Sequence, residues 1–307
     1  MKTAQFIDPY TLVTETIIAQ LEKGVVPWHC PWRRDVGRPM NFHTGLDYRG
    51  INILLLGIRR FASPYWLTWN QLKQRGGSVK NGEHGSLVVK YGKFEKKTGE
   101  ADEEGKEKTK GSAFLKGYKV FNAMQIEGIC FPEVKPVVAL GTPERIAKAE
   151  SIVKGMPSPP VIREGRYTQA CYRRATDTID MPAMKSFESA ETYFLTLYHE
   201  LTHSTGSPSR LNRKTVVEND GFGSETYSQE ELVAEMGAAF LGAEADIVRD
   251  NHEQSAAYLR GWLDALKDKD HRRWIVRAAN QAAKATDFIL GRLPTAKEVP
   301  DTEAAVI

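Results

Sequence analysis

At 307 residues, 41% hydrophobic and 26% charged, with a net charge of +3, the chain exceeds a single core; two folded domains are expected and a disordered or fibrous class is excluded. There is no run of about 18 apolar residues, so no membrane partner is expected, and the N-terminus MKTAQFIDPY lacks the pattern of a secretory signal. Three scattered cysteines, Cys30, Cys130 and Cys171, exclude a disulfide framework and a CxxC zinc finger, and fit a reducing cytoplasm.

Asp8-Pro9 reads as a helix cap with proline in the first turn, and Val13, Ile17, Ile18 and Leu21 repeat at helical spacing until Gly24. The following segment, VVPWHCPWRRDVGRPMNFHTGLDYRG, has no steady period and reads as an ordered surface loop. Ile51 to Ile58 is a buried helix or strand, a helix starts at Thr68-Trp69, and strands are expected near Ser78-Val79, Leu87 to Tyr91 and Tyr118 to Asn122. Residues 95–112 hold no large apolar side chain and form a solvated hairpin tip or a disordered insertion. Three prolines in 131–143 mark a linker. Beyond it come a helix over 143–154, strands near Val161-Ile162 and Ala170 to Tyr172, and a turn at Asp180-Met181-Pro182. Helices are expected over 186–204, 229–243, 252–267 and 270–290, so the class is α+β. The division is residues 1–135, a linker at 136–142, and residues 143–307.

His199-Glu200-Leu201-Thr202-His203 lies on the predicted helix 186–204. Histidines at i and i+4 project from one face and can reach one ion, Zn2+ or another divalent metal such as Mn2+. Such an ion acidifies a coordinated water to a pKa of about 7, and Glu200 stands beside it to take the proton. This is the pattern of a zinc-dependent metallopeptidase. No third histidine follows His203 at short spacing, so the third ligand is sought in Glu230-Glu231-Leu232-Val233-Ala234-Glu235. In glutamate-type zincins Glu231 would be the ligand and Glu235 would brace a histidine. Alternatively, Ser228 to Glu231 is a capping box, and Glu235 is the ligand. Ala170 to Tyr172 is the expected substrate-pairing edge strand, and Tyr227, His252 or Tyr258 could stabilise an oxyanion.

Residues 1–136 carry 21 Lys and Arg against 14 Asp and Glu, whereas the remainder is net negative. Within the basic half, Trp28, Trp32, Arg33, Arg34, Arg38, Tyr48 and Arg49 interleave aromatic and cationic side chains. That mixture suits single-stranded DNA, which stacks bases on rings and neutralises phosphates with cations. Tryptophans beside prolines also serve as loop anchors.

Together these residues resemble the ArdC antirestriction family of conjugative plasmids, whose N-terminal module also occurs in TraC-type primases. The resemblance rests on Gly24 to Trp28, Pro31-Trp32, Pro39 to Asn41, Tyr48-Arg49-Gly50-Ile51-Asn52, Trp66 to Thr68 and Gly76 to Val79. In the second half it rests on Asp180 to Pro182, Tyr198 to Gly206, Arg210-Leu211, Glu230 to Glu235, Ala257 to Leu259 and Trp262-Leu263. It implies a single-stranded-DNA-binding domain joined to a zincin-like metallopeptidase domain, and protection of incoming plasmid DNA from host restriction during conjugation. A restriction-system or other DNA-bound protein is the implied peptidase substrate.

Overall fold

Local signals set the first elements. The computed structural model describes residues 8–33, 35–101, 107–134, 140–217, 224–247, 256–268 and 271–292. The Asp8 carboxylate accepts from the Tyr10 N–H and caps helix α1 (Pro9–Leu21), which buries Val13, Ile17 and Leu21. Strands β1 (Met40–Asn41) and β2 (Leu46–Asp47) lead into α2 (Ile51–Gly57), so the ambiguous apolar run is helical and buried on nearly every side. β3 (Tyr65–Thr68) runs into α3 (Trp69–Gln74) through a capping box in which Thr68 and Gln71 exchange hydrogen bonds. After β4 (Ser78–Val79), a long hairpin is formed by β5 (Ser86–Ala101) and β6 (Glu107–Asn122), and β7 (Ile126–Glu127) pairs with β4. The insertion at 95–112 is thus a hairpin extension: pairing runs out to Ala101 and Glu107, while 102–106 lie outside the described residues. The five-stranded sheet has the order β2-β1-β3-β6-β5.

Of the proposed linker at 136–142, residues 136–139 lie outside the described residues. Helix α4 (Thr142–Gly155) precedes a three-stranded sheet in which β10 (Thr178–Pro182) lies between parallel β8 (Val161–Gly165) and antiparallel β9 (Cys171–Arg173). The expected turn at Asp180-Met181-Pro182 is therefore the end of the central strand. Ile179 and Met181 are fully buried, and Pro182, which has no N–H to donate, stands at the strand's last position. Helices α5 (Ala190–Ser204), α6 (Lys214–Val217), α7 (Glu225–Glu244), α8 (Ala256–Lys267) and α9 (Trp274–Ile289) follow among the described residues.

The two halves share a hydrophobic cluster. It unites Val13, Ile17, Trp28, Ile53 and Leu54 with Leu232, Met236 and Phe240 of α7 and Ile275 and Ala279 of α9. The Arg49-Gly50-Ile51-Asn52 motif is a joint in that contact. Arg49 pairs with Asp287 of α9, and Asn52 makes two 2.8 Å hydrogen bonds to the Val89 backbone of β5. At Gly50, φ is +55° and a Cβ would stand 2.5 Å from the Asn280 side chain, so glycine is needed twice over.

A second close approach positions the site. A Cβ on Gly237 of α7 would lie 2.5 Å from the Thr202 side chain of α5. Thr202 is fully buried and flanked by Leu201 and His203. Gly237→Ala is expected to push α5 and α7 apart, destabilising the chain by about 1–3 kcal/mol and weakening metal binding. Calorimetric unfolding and a metal titration check both.

Candidate metal centre and basic half

Helix α5 begins at Ser189, whose hydroxyl caps the Thr192 N–H, and buries Tyr193, Phe194, Leu197, Tyr198 and Leu201. The opposite stripe carries His199 and His203 toward α7. The two Nε2 atoms are 3.1 Å apart. Glu231 Oε2 lies 3.4 Å from His199 Nε2, and Glu231 Oε1 lies 3.5 Å from His203 Nε2. Two ligand atoms at about 2.0–2.1 Å from one tetrahedral ion are separated by about 3.3–3.4 Å. The histidine pair is close to that value, each histidine faces its own oxygen of the Glu231 carboxylate, and among the described residues this is the group of His, Cys and carboxylate ligands that converges, with one ligand atom from each all within 4.8 Å.

Each imidazole has a carboxylate behind it. Glu235 Oε1 is 3.9 Å from His199 Nδ1, and Glu230 Oε1 is 3.2 Å from His203 Nδ1. A proton on Nδ1 facing a carboxylate leaves the Nε2 lone pair to point into the cluster. Ser224 caps α7 through the Tyr227 N–H, so the helix begins a full turn before Ser228, and the capping-box role for Glu231 falls away.

Glu230 belongs to the acidic segment that holds the candidate ligands, but its own role is not legible in the sequence. It is 2% exposed and bound by the Arg213 guanidinium at 2.6 and 3.0 Å and by the Thr215 hydroxyl at 2.5 Å. Its only sequence signal is its place beside Glu231, about 100° around the helix. Burial would raise its pKa, but hydrogen bonds from His203 and Arg213 hold it at about 2. For His203 burial works downward, and hydrogen bonds to Glu230 and Glu231 outweigh it and raise the pKa to about 10. The pocket favours positive charge. A carboxylate with a depressed folded pKa contributes stability above its unfolded value and loses it as pH falls. Stability should therefore decline from about pH 4.5 toward pH 2, and Glu230→Gln should flatten that decline while lowering stability at neutral pH. Thermal melts across pH check this.

Glu200 is 8% exposed, and its Oε2 accepts the Tyr172 N–H of edge strand β9 at 2.7 Å. The tyrosine hydroxyl in turn donates to Asp177, which Arg210 holds through two 2.8 Å bonds. Burial, and then the Glu200 carboxylate, push the Cys171 thiol upward, which keeps it protonated beside the cluster. Of the oxyanion candidates, Tyr227 hydrogen-bonds Glu231; burial and then the Glu231 and Glu200 charges push its phenol up to about 12, so it remains a donor. His252 lies outside the described residues, and Tyr258 is placed only as a position on α8.

Two family models match: a zincin-like metallopeptidase over residues 147–281, and the N-terminal domain of anti-restriction factor ArdC over residues 7–121. The crystal structure of the antirestriction protein ArdC from plasmid R388 in metal-free form superposes with a TM-score of 0.71 at 39% identity, covering 93% of this chain and 98% of that one. The chain belongs to the ArdC antirestriction family. The Mn(II)-bound crystal structure of the same ArdC gives a TM-score of 0.69 at 37% identity, again over 93% and 98% of the two chains. An uncharacterised protein of Sinorhizobium fredii is 33% identical over 92% of this chain and 91% of its own length. An Escherichia coli DNA primase TraC is 37% identical over 91% of this chain, which spans only 26% of that primase.

In this ArdC-family chain several of the aromatic and basic residues expected to touch DNA have other partners. Trp28 is fully buried, edge-on to Trp262 at 6.0 Å, and Trp32 is 7% exposed. Neither offers a free ring for stacking, because both fill the shared core. Arg33 pairs with Asp35. Arg38 lies 3.3 Å from Glu244 of α7, which also binds Arg292, and Arg49 pairs with Asp287. A cation already neutralised by carboxylate adds little to phosphate binding. Burial pushes the Tyr48 phenol up to about 12, with an Asn41 hydrogen bond opposing it. Arg34 lies outside the described residues. Among the described residues no helix is long and apolar enough to cross a membrane.

Proposed function

We propose that the chain is an antirestriction protein that binds single-stranded DNA and carries a metallopeptidase centre, protecting incoming plasmid DNA from host restriction in the recipient cytoplasm. The observation that carries the metallopeptidase part is the convergence of His199, His203 and Glu231, whose ligand atoms lie within 4.8 Å of one another. These three residues would hold one Zn2+ or Mn2+. The Mn(II)-bound ArdC relative supports a divalent ion. When bound, such an ion supplies Lewis acidity toward a water and a peptide carbonyl.

The chain's own groups account for the rest. Glu231 brings negative charge to the ligand set, and Glu230 and Glu235 orient the histidines from behind. Glu200, fixed by the Tyr172 N–H, holds one oxygen in a hydrogen bond and has the other to accept a proton. Strand β9 is an edge of its sheet, and an extended peptide can add to it beside Glu200. Tyr227 stands near Glu200 and Glu231 as a neutral donor for a developing oxyanion. A DNA-bound protein is the fitting substrate class, since the basic half would bring the centre to it.

Glu200→Ala separates the two parts of this reading. The variant is expected to retain its metal and its single-strand affinity and to lose cleavage of a DNA-bound protein. Metal analysis, oligonucleotide binding and plasmid transfer into restricting and non-restricting recipients check this. Protection kept by Glu200→Ala would assign it to DNA coating, whereas protection lost with metal and DNA binding intact would assign it to proteolysis. A variant that loses its metal would overturn the assignment of Glu200 as a base outside the ligand set.

A further inference from the structure

With Trp28, Trp32, Arg38 and Arg49 committed to packing and ion pairs, the polyanion surface must be sought elsewhere in the basic half. Residues 48–82 contain six Lys or Arg and no Asp or Glu, a stretch of one sign suited to a polyanion. Trp69 projects from this stretch at 43% exposure, while Trp28, Trp32, Trp66 and Trp274 are buried. The Lys73 ammonium sits over its ring at 5.1 Å, and Phe121 lies against it with centroids 6.0 Å apart. Next to them Arg75 covers Phe42 at 4.8 Å, and Phe42 rests on Phe131 and Tyr65. Lys119, exposed on β6, shares the sheet face of Phe121.

Among the described residues no carboxylate comes within ion-pair distance of Lys73, Arg75 or Lys119. Of the acidic residues near the patch in sequence, Glu83 accepts from Gln125 and Glu127 from Ser78. A cation held only over an exposed ring is weakly held and easily transferred to a phosphate. The ring itself is firmly mounted: Trp69 opens α3 within the Thr68–Gln71 capping box, and the neighbouring Leu72 and Leu67 are fully buried.

We propose that single-stranded DNA lies across this face, with a base stacked on Trp69 and phosphates on Lys73, Arg75 and Lys119. The placement rests on the DNA-binding part of the function proposed above and gives it an address. A duplex would not fit it, because its base faces are already stacked and only an unpaired base can cover an indole ring.

The test uses the full chain and a fluorescein-labelled oligothymidylate, with fluorescence anisotropy read across a salt series. Trp69→Ala is expected to weaken binding by about 5- to 100-fold. Lys73→Gln with Arg75→Gln should reduce the slope of log affinity against log salt by roughly 1.4. Lys154→Gln, on α4 of the acidic half, should change neither. All four positions are exposed, so the melting temperatures should stay close to the wild type and the loss can be read as contact. Wild-type binding kept in full by Trp69→Ala and by the double variant would overturn this placement while leaving DNA binding itself standing. A wild-type chain that fails to bind the oligonucleotide would overturn DNA binding and the placement with it.

Discussion

His203→Ala is expected to lower affinity for Zn2+ or Mn2+ by more than about a hundred-fold, beyond the 10- to 100-fold typical of residues that only orient a ligand. The loss should be steep because His203 does two things at once. Its Nε2 stands 3.1 and 3.5 Å from His199 Nε2 and Glu231 Oε1, and its Nδ1 takes up the inward charge of Glu230. Alanine removes one donor of three and leaves Glu230 with Arg213 and Thr215 alone. Competition against a chromophoric chelator measures the affinity. Glu235→Gln, which touches the set only through a 3.9 Å approach to His199, should fall within the 10- to 100-fold range or below it. An equal loss in both variants would make Glu235 a ligand and would require the histidines and α7 to rearrange.

Trp28→Ala is expected to destabilise the whole chain by about 3–5 kcal/mol, the usual cost of emptying a large aromatic site in a packed core. Trp28 is fully buried in a cluster supplied by both halves, so the cavity would open inside that cluster, beside Trp262 of α8, rather than at a surface. In a chain of this size the melting temperature should fall by on the order of 10 °C. At a temperature where the variant remains folded, its affinity for an oligonucleotide should match the wild type. Loss of DNA affinity without loss of stability would return Trp28 to the role its sequence context suggested. The shared cluster also bears on experimental design: a fragment ending near residue 135 would expose the faces of α1 and α2 that α7 and α9 cover.

The histidine–glutamate cluster and the side chains of the basic half differ in how far they were legible in the sequence, and the reason is physical. His199 and His203 lie one helical turn apart, and Glu231 and Glu235 repeat that spacing on a second helix. Local geometry alone aims each pair, and little is left for the fold except to bring α5 and α7 together at Gly237 and Thr202. The basic loop has no such internal constraint. Whether Arg38 or Arg49 faces solvent depends on what lies opposite, and their carboxylate partners are 206 and 238 residues away. No local pattern announces a partner at that distance. The role of Glu230 was missed for the same reason, since its importance comes from Arg213 and His203 rather than from its neighbours on α7.

By itself the sequence determined the α+β class and the helices that carry HExxH and the Glu230 to Glu235 segment, because periodicity and capping are properties of short segments, while the resemblance to the ArdC family rested on motifs spread in order along the chain. The tertiary structure decided that Ser224 caps α7, that Asp180 to Pro182 ends a central strand, and that Trp28, Arg38 and Arg49 join the two halves. It also left Trp69 exposed under Lys73. Burial and pairing are relations between distant segments, and only the folded chain brings those segments into contact.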